Sequence, residues 1–207
     1  MATAKKASGN KVAAKKAPAK KTSAGRSSGR FASTDATALL TADHDEVAKL
    51  FKKYERLVKK EAEGGERQTL ANTICEKLTL HAKLEEEIFY PAAHEAGVKE
   101  DLLDEAEVEH ASVKELISQI QSMSPDEPLY DAKVTVLGEY VNHHVEEEEG
   151  EMFPKCRKAK MDLEGLGAQI AERKAAMTAE AAPPAATDAL GMPMPGAKTA
   201  RRRAAAA

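Results

Sequence analysis

Across 207 residues, 31 Lys and Arg stand against 34 Asp and Glu, and the near-neutral net charge of −3 hides a sharp partition. Nine basic residues and no acid fall in residues 1–30, and four basic residues with one acid in 181–207; what is left between them is 18 basic against 33 acidic residues, a net −15. No stretch approaches the roughly 18 apolar residues that span a bilayer, and the two cysteines, Cys75 and Cys156, lie too far apart to suggest a disulfide framework or a zinc knuckle.

Residues 1–32 form a Lys- and Ala-rich tail with Val12 as the sole bulky apolar side chain before Phe31. Such a segment cannot bury enough apolar surface to offset its ordering entropy, so it reads as disordered, as does the Ala, Pro and Arg tail at 181–207. The N-terminus lacks the apolar centre of a secretory signal, and a cytoplasmic location follows.

From Ser33 to about Met177 the apolar residues recur at three- and four-residue steps, which predicts an all-helical fold. Ser33-Thr34-Asp35 supplies caps for a first helix with the stripe Leu40, His44, Val47, Phe51, Tyr54 and Val58, and Gly64-Gly65 reads as its stop. A second helix runs from about Glu66 through Leu70, Ile74, Leu78, His81, Glu85 and Phe89, with Pro91 and Gly97 marking its end and His94 in a loop beyond Pro91. The third carries Leu103, Ala106, His110, Val113, Ile117 and Ile120 and breaks at 124–128; the fourth follows from about Leu129 with Leu137, Val141, His144, Glu148 and Met152. Short connections make these four an up-down-up-down bundle over residues 33–158, with an accessory helix in 159–180, from about Asp162 to Met177, packed outside it.

One eleven-residue pattern occurs twice, from His81 to Pro91 and from His144 to Pro154. Each copy sets a His and a Glu four apart, on one helix face and one turn apart, as two ligands of one metal require. At about 1.5 Å per residue, His44, His81, His110 and His144 all lie roughly 14–15 Å from the same end of the bundle. They therefore meet at one level, with Glu85 and Glu148 a turn away. Six imidazole and carboxylate ligands exceed one tetrahedral zinc and suit two metals bridged by the carboxylates, iron before manganese or zinc. Aligning Pro91 with Pro154 selects His144 over its neighbour His143, which sits about 100° round the helix. Glu86 or Glu149 could accept from a ligand His. Phe51, Tyr54, Phe89 and Phe153 wall the site, with Leu40, Val47, Leu84 and Val141 as the apolar barrier to water.

A lone His on helix 1, His-x-x-x-Glu on helix 2, a lone His on helix 3 and His-x-x-x-Glu before Phe-Pro on helix 4 resembles the hemerythrin-like, or HHE cation-binding, family over about residues 35–157. The ferritin-like bundles use the opposite order, Glu-x-x-His. The resemblance implies a bacterial di-iron protein: two oxo-bridged, non-haem iron ions on His44, His81, Glu85, His110, His144 and Glu148. It also implies a departure from oxygen carriage, because carriers have a second His where this chain has Lys114, and end helix 4 with His-x-x-x-x-Asp where this chain has Glu149. The expected function is to bind, sense or detoxify a small diatomic ligand or peroxide (O₂, nitric oxide or hydrogen peroxide), without turnover. Two alternatives remain open: a catalase- or peroxidase-like enzyme that consumes hydrogen peroxide at the same site, and a nucleoid-associated iron or redox sensor whose residues 1–30 bind DNA nonspecifically.

Overall fold

Asp35 opens the first helix as its N-cap, its carboxylate accepting from the Ala38 N–H at 3.0 Å and from the Thr37 hydroxyl at 2.7 Å. The computed structural model describes residues 35–181, so the expected tail at 1–32, the cap residues Ser33 and Thr34, and all of the expected tail at 181–207 except Ala181 lie outside the described residues. Helix α1 (Ala36–Lys59) buries Ala36, Leu40, His44, Val47 and Tyr54 along one stripe, as their three- and four-residue spacing requires. It ends at Lys59, before the two glycines: Glu61 takes a left-handed turn (φ 52°) and the Ala62 N–H closes on the Leu57 carbonyl.

Gly64 and Gly65 are thus the first turn of α2 (Gly64–Leu84), not the stop of α1. Gly64 is there for close approach, since a Cβ on it would fall 2.7 Å from the Asp126 carboxylate in the 124–129 loop. Beyond Leu84 the helix does not end at Pro91. It widens into a π-helical turn, Glu85–Phe89, and continues as α3 (Tyr90–Glu95), so His94 is helical and exposed rather than in a loop. Gly97, at φ 74°, closes α3.

The second half repeats this plan. Helix α4 (Glu100–Ser122) and α5 (Tyr130–Glu147) flank the 124–129 loop, and α5 runs through a second π turn, Glu148–Met152, into α6 (Phe153–Lys158). Proline supplies the cause in both places. Pro91 and Pro154 have no N–H to give and their rings crowd the carbonyls four residues back, at Glu87 and Gly150. The chain relieves the clash by switching to five-residue bonding: the Tyr90 N–H reaches the Glu85 carbonyl and the Phe153 N–H the Glu148 carbonyl.

The four long helices pack as α1 against α2 and α5, and α4 against α5 and α2. Among the described residues there is no strand, and the all-helical bundle read from the sequence is what the chain forms. The accessory helix α7 (Leu163–Ala181) is four residues longer than expected at its C-terminus and lies on α1, α2 and the first π turn. No helix among the described residues is long and apolar enough to cross a membrane.

The core comes in two pieces. One gathers Val47, Leu70, Ile74, Ile117, Tyr130 and Leu137 toward the 124–129 loop; the other gathers Leu40, Leu84, Phe89, Phe153, Cys156 and Ile170 toward α3 and α6. At the far end of the first, Asp131 accepts from Arg67 at 2.6 Å and from the Tyr54 hydroxyl at 2.6 Å, a clip joining three helices. Between the two apolar pieces lies a polar layer. Apart from Thr37, the buried polar residues among the described ones are His44, His81, Glu85, His110, His144 and Glu148.

Candidate metal centre

All six sequence-selected residues converge in that layer. The His44 and His81 Nε2 atoms face each other at 3.0 Å, and those of His110 and His144 at 3.2 Å. The carboxylates span the two pairs. Glu85 comes within 3.1 Å of His81 and 3.5 Å of His110, and Glu148 within 3.3 Å of His44 and 3.6 Å of His144. Two overlapping donor groups result, His44-His81-Glu85-Glu148 and Glu85-His110-His144, each with its ligand atoms within 4.8 Å of one another.

The buried atoms themselves test whether a cation fits. Both oxygens of Glu85 and Oε2 of Glu148 are buried without a hydrogen-bond partner, at a cost of about 1–3 kcal/mol for each unsatisfied group. Burial pushes the Glu85 carboxyl up, but His81 and the other imidazoles prevail and hold it below the usual carboxylate range. Burial likewise opposes charge on His81, and Glu85 and Asp43 more than reverse it, so the imidazole keeps its proton well above the ordinary histidine range. Protons here occupy places that a cation can take, which couples metal binding to proton release. The donors are imidazole nitrogen and carboxylate oxygen throughout. Cys75 and Cys156 are buried in the two cores, where burial pushes both thiols to about 11. That donor set suits first-row divalent metals.

Each imidazole with its Nε2 turned inward has an acid on its other side. Nδ1 of His44 meets Glu149 at 2.8 Å, that of His110 meets Glu86 at 2.7 Å, and that of His144 meets Glu109 at 2.7 Å. Nδ1 of His81 faces Asp43 at 3.7 Å, too far for a hydrogen bond. Glu149, Glu86 and Glu109 fix the orientation of their rings and make those imidazoles better donors. Glu86 and Glu149 were legible from the acidic runs around the motif; Asp43 and Glu109, each preceding a ligand His, were not singled out. Lys114 in turn donates to Glu86 at 2.6 Å, and Lys174 of α7 donates to Asp43.

Sequence reasoning also missed Tyr90. Five residues past Glu85, an ordinary helix would turn it about 140° away, but the π turn brings it back over the site. Its hydroxyl donates to Glu148 at 3.0 Å and lies 3.3 and 3.4 Å from Nε2 of His110 and His144. Burial, reinforced by Glu85 and Glu148, raises this phenol well above its ordinary value, so it keeps its proton. The matching residue of the second motif is Phe153, which stacks on His44 at 6.1 Å and 6°.

A cavity of about 30 Å³ opens beside the four imidazoles, room for one or two water-sized molecules. Val47 and Val141 line it as expected, joined by Leu78 and Val113, whereas Leu40 and Leu84 belong to the second core.

The comparisons with known proteins agree with this geometry. A solved Mycobacterium kansasii protein, described as a hemerythrin HHE cation binding domain-containing protein, superposes with a TM-score of 0.59 at 26% identity over 70% of this chain and 88% of its own. A protein of Nostoc sp. (strain PCC 7120) named a DNA nickase is 34% identical over 87 residues, 41% of this chain, and the match spans 24% of that relative's length. The model of the hemerythrin HHE cation binding domain matches residues 35–156, and with its helices and buried His and Glu clusters in that arrangement, the chain belongs to this family of metal-binding proteins.

Proposed function

We propose that the protein is a non-haem di-iron protein that binds, senses or detoxifies a small oxidant: O₂, nitric oxide or peroxide. The observation that carries this reading is the small apolar cavity lined by all four histidines, in a layer where both oxygens of Glu85 and Oε2 of Glu148 are buried without a hydrogen-bond partner. In this reading His44 and His81 would hold one metal and His110 and His144 the other, with Glu85 and Glu148 available to both. Two irons held there would supply direct binding of such a ligand and a shared two-electron change.

The chain's own groups do the rest. Val47, Leu78, Val113 and Val141 keep bulk water from the cavity. Glu86, Glu109 and Glu149 orient three of the imidazoles, and Tyr90 holds a proton on its hydroxyl at the His110 and His144 side. Metal analysis of protein purified without added metal, with its visible spectrum before and after peroxide, tests the reading. Two irons per chain and a peroxide-sensitive spectrum are expected; zinc alone overturns it. Glu85→Ala should lose both metals, and an unchanged iron stoichiometry would sink the ligand assignment.

Tyr90 favours a second reading, peroxide turnover, because it supplies the proton donor such chemistry needs. Oxygen release from peroxide that His81→Ala abolishes would promote it. For residues 1–30, nine positive charges without an acid support nonspecific DNA binding. Gel shifts with the full chain and with one lacking residues 1–30 should differ, and should weaken steeply with salt.

A further inference from the structure

We infer that Glu109, His143 and Glu147 form a second, surface site for one divalent transition-metal cation. His143 and Glu147 repeat the four-residue spacing of His144 and Glu148 one position earlier, so they share a face of α5 turned about 100° outward. Glu109 comes to them from α4. The His143 Nε2 lies 3.6 Å from Glu109 Oε1 and 3.5 Å from Glu147 Oε1, and one donor atom from each of the three residues lies within 4.8 Å of the others. A tetrahedral ion with bonds of about 2.0–2.1 Å sets its donors roughly 3.3 Å apart. Each carboxylate therefore needs to approach His143 by only a few tenths of an ångström, and the separation of the two carboxylates, within 4.8 Å, to close by at most about 1.5 Å. The His143 side chain is 65% exposed, which leaves the remaining coordination position to water.

Glu109 already has Oε2 fixed by the His144 Nδ1 at 2.7 Å, and its Oε1 is the oxygen that faces His143. Two of the other carboxylates behind the ligand histidines are neutralised by lysine, Asp43 by Lys174 and Glu86 by Lys114. At Glu109 and Glu147, among the described residues, no lysine or arginine forms an ion pair; the facing group is the imidazole of His143. A bound cation takes the place that lysine takes elsewhere. With one imidazole among the donors, zinc and its first-row neighbours are preferred over calcium and magnesium.

The test uses the full chain with its resident metals, which are counted first by metal analysis, so the result stands apart from the di-iron reading. Equilibrium dialysis against micromolar Zn²⁺ should load the wild type with one more zinc per chain than His143→Ala or Glu147→Gln. Both variants should bind that zinc at least tenfold more weakly, keep their resident metals, and show unchanged circular dichroism. A millimolar excess of Ca²⁺ should not displace it. Equal extra zinc in all three proteins, or none in the wild type, overturns the inference. Displacement by Ca²⁺ overturns the metal class. If one variant sheds resident metal, the other decides.

Discussion

Tyr90 and Phe153 occupy matching places in the two motifs, and the single oxygen that separates them makes the centre chemically one-sided. The phenol stands over His110 and His144, while an inert ring stacks on His44. Tyr90→Phe should therefore retain iron and helicity. Any peroxide-dependent reaction should slow by about 10²-fold or more, as loss of a positioned proton donor does; stopped-flow absorbance measures it, and an unchanged rate would leave the hydroxyl a merely structural contact. The six inward residues were legible because each is buried on a stripe whose period the sequence displays. Tyr90 was not, because its orientation depends on a local departure from that period. Glu109 and Asp43 were hidden for a different reason: each acts on a histidine of another helix, and in a chain rich in acids nothing local marks which carboxylate makes that contact.

Among the elements, the π turns explain the main misreading of the helix ends. Pro91 looks like a terminator, and in an isolated helix it would be one. Packed between the second core and α7, the chain instead widens by one residue and carries on. Pro91→Ala supplies the missing donor and removes the cause of the widening. Helical content should hold in circular dichroism while Glu85 and Tyr90 swing off the site. Iron retained after dialysis should fall about tenfold or more, the order seen when groups supporting metal ligands are lost. The start of α1 gives a pH-dependent prediction. The Thr37 hydroxyl, more than any other group, holds the Asp35 carboxyl below its ordinary 3.8. A depressed folded value stabilises above the unfolded value and is lost as pH falls through the folded one. Asp35→Ala should thus cost about 1 kcal/mol in urea unfolding at pH 6, as lost N-caps do. The gap should close progressively below about pH 3.8.

At the scale of the molecule, two helical hairpins meet through the metal layer. The α1–α2 hairpin brings His44, His81 and Glu85, and the α4–α5 hairpin brings His110, His144 and Glu148. Each contributes one imidazole pair, and the carboxylates cross between them. Removing metal should therefore weaken the whole bundle. At metal concentrations a hundredfold above the dissociation constant, binding adds about 2.7 kcal/mol, so chelation should lower Tm by roughly 5–10 °C for a chain of this size. Calorimetry with and without chelator checks this; equal transitions would mean the helices hold together without it.

The two apolar clusters on either side of that layer carry a further consequence, for cooperativity. A continuous core melts as one unit, but here the side chains joining the halves are imidazoles and carboxylates that repel water poorly and hold each other mainly by charge. Once the cations are gone, the end clipped by Arg67, Asp131 and Tyr54 can stay folded while the α3, α6 and α7 end opens. The protein stripped of metal would then unfold in two steps where the loaded one unfolds in a single step, so that the presence of metal would set how much of the chain stays ordered.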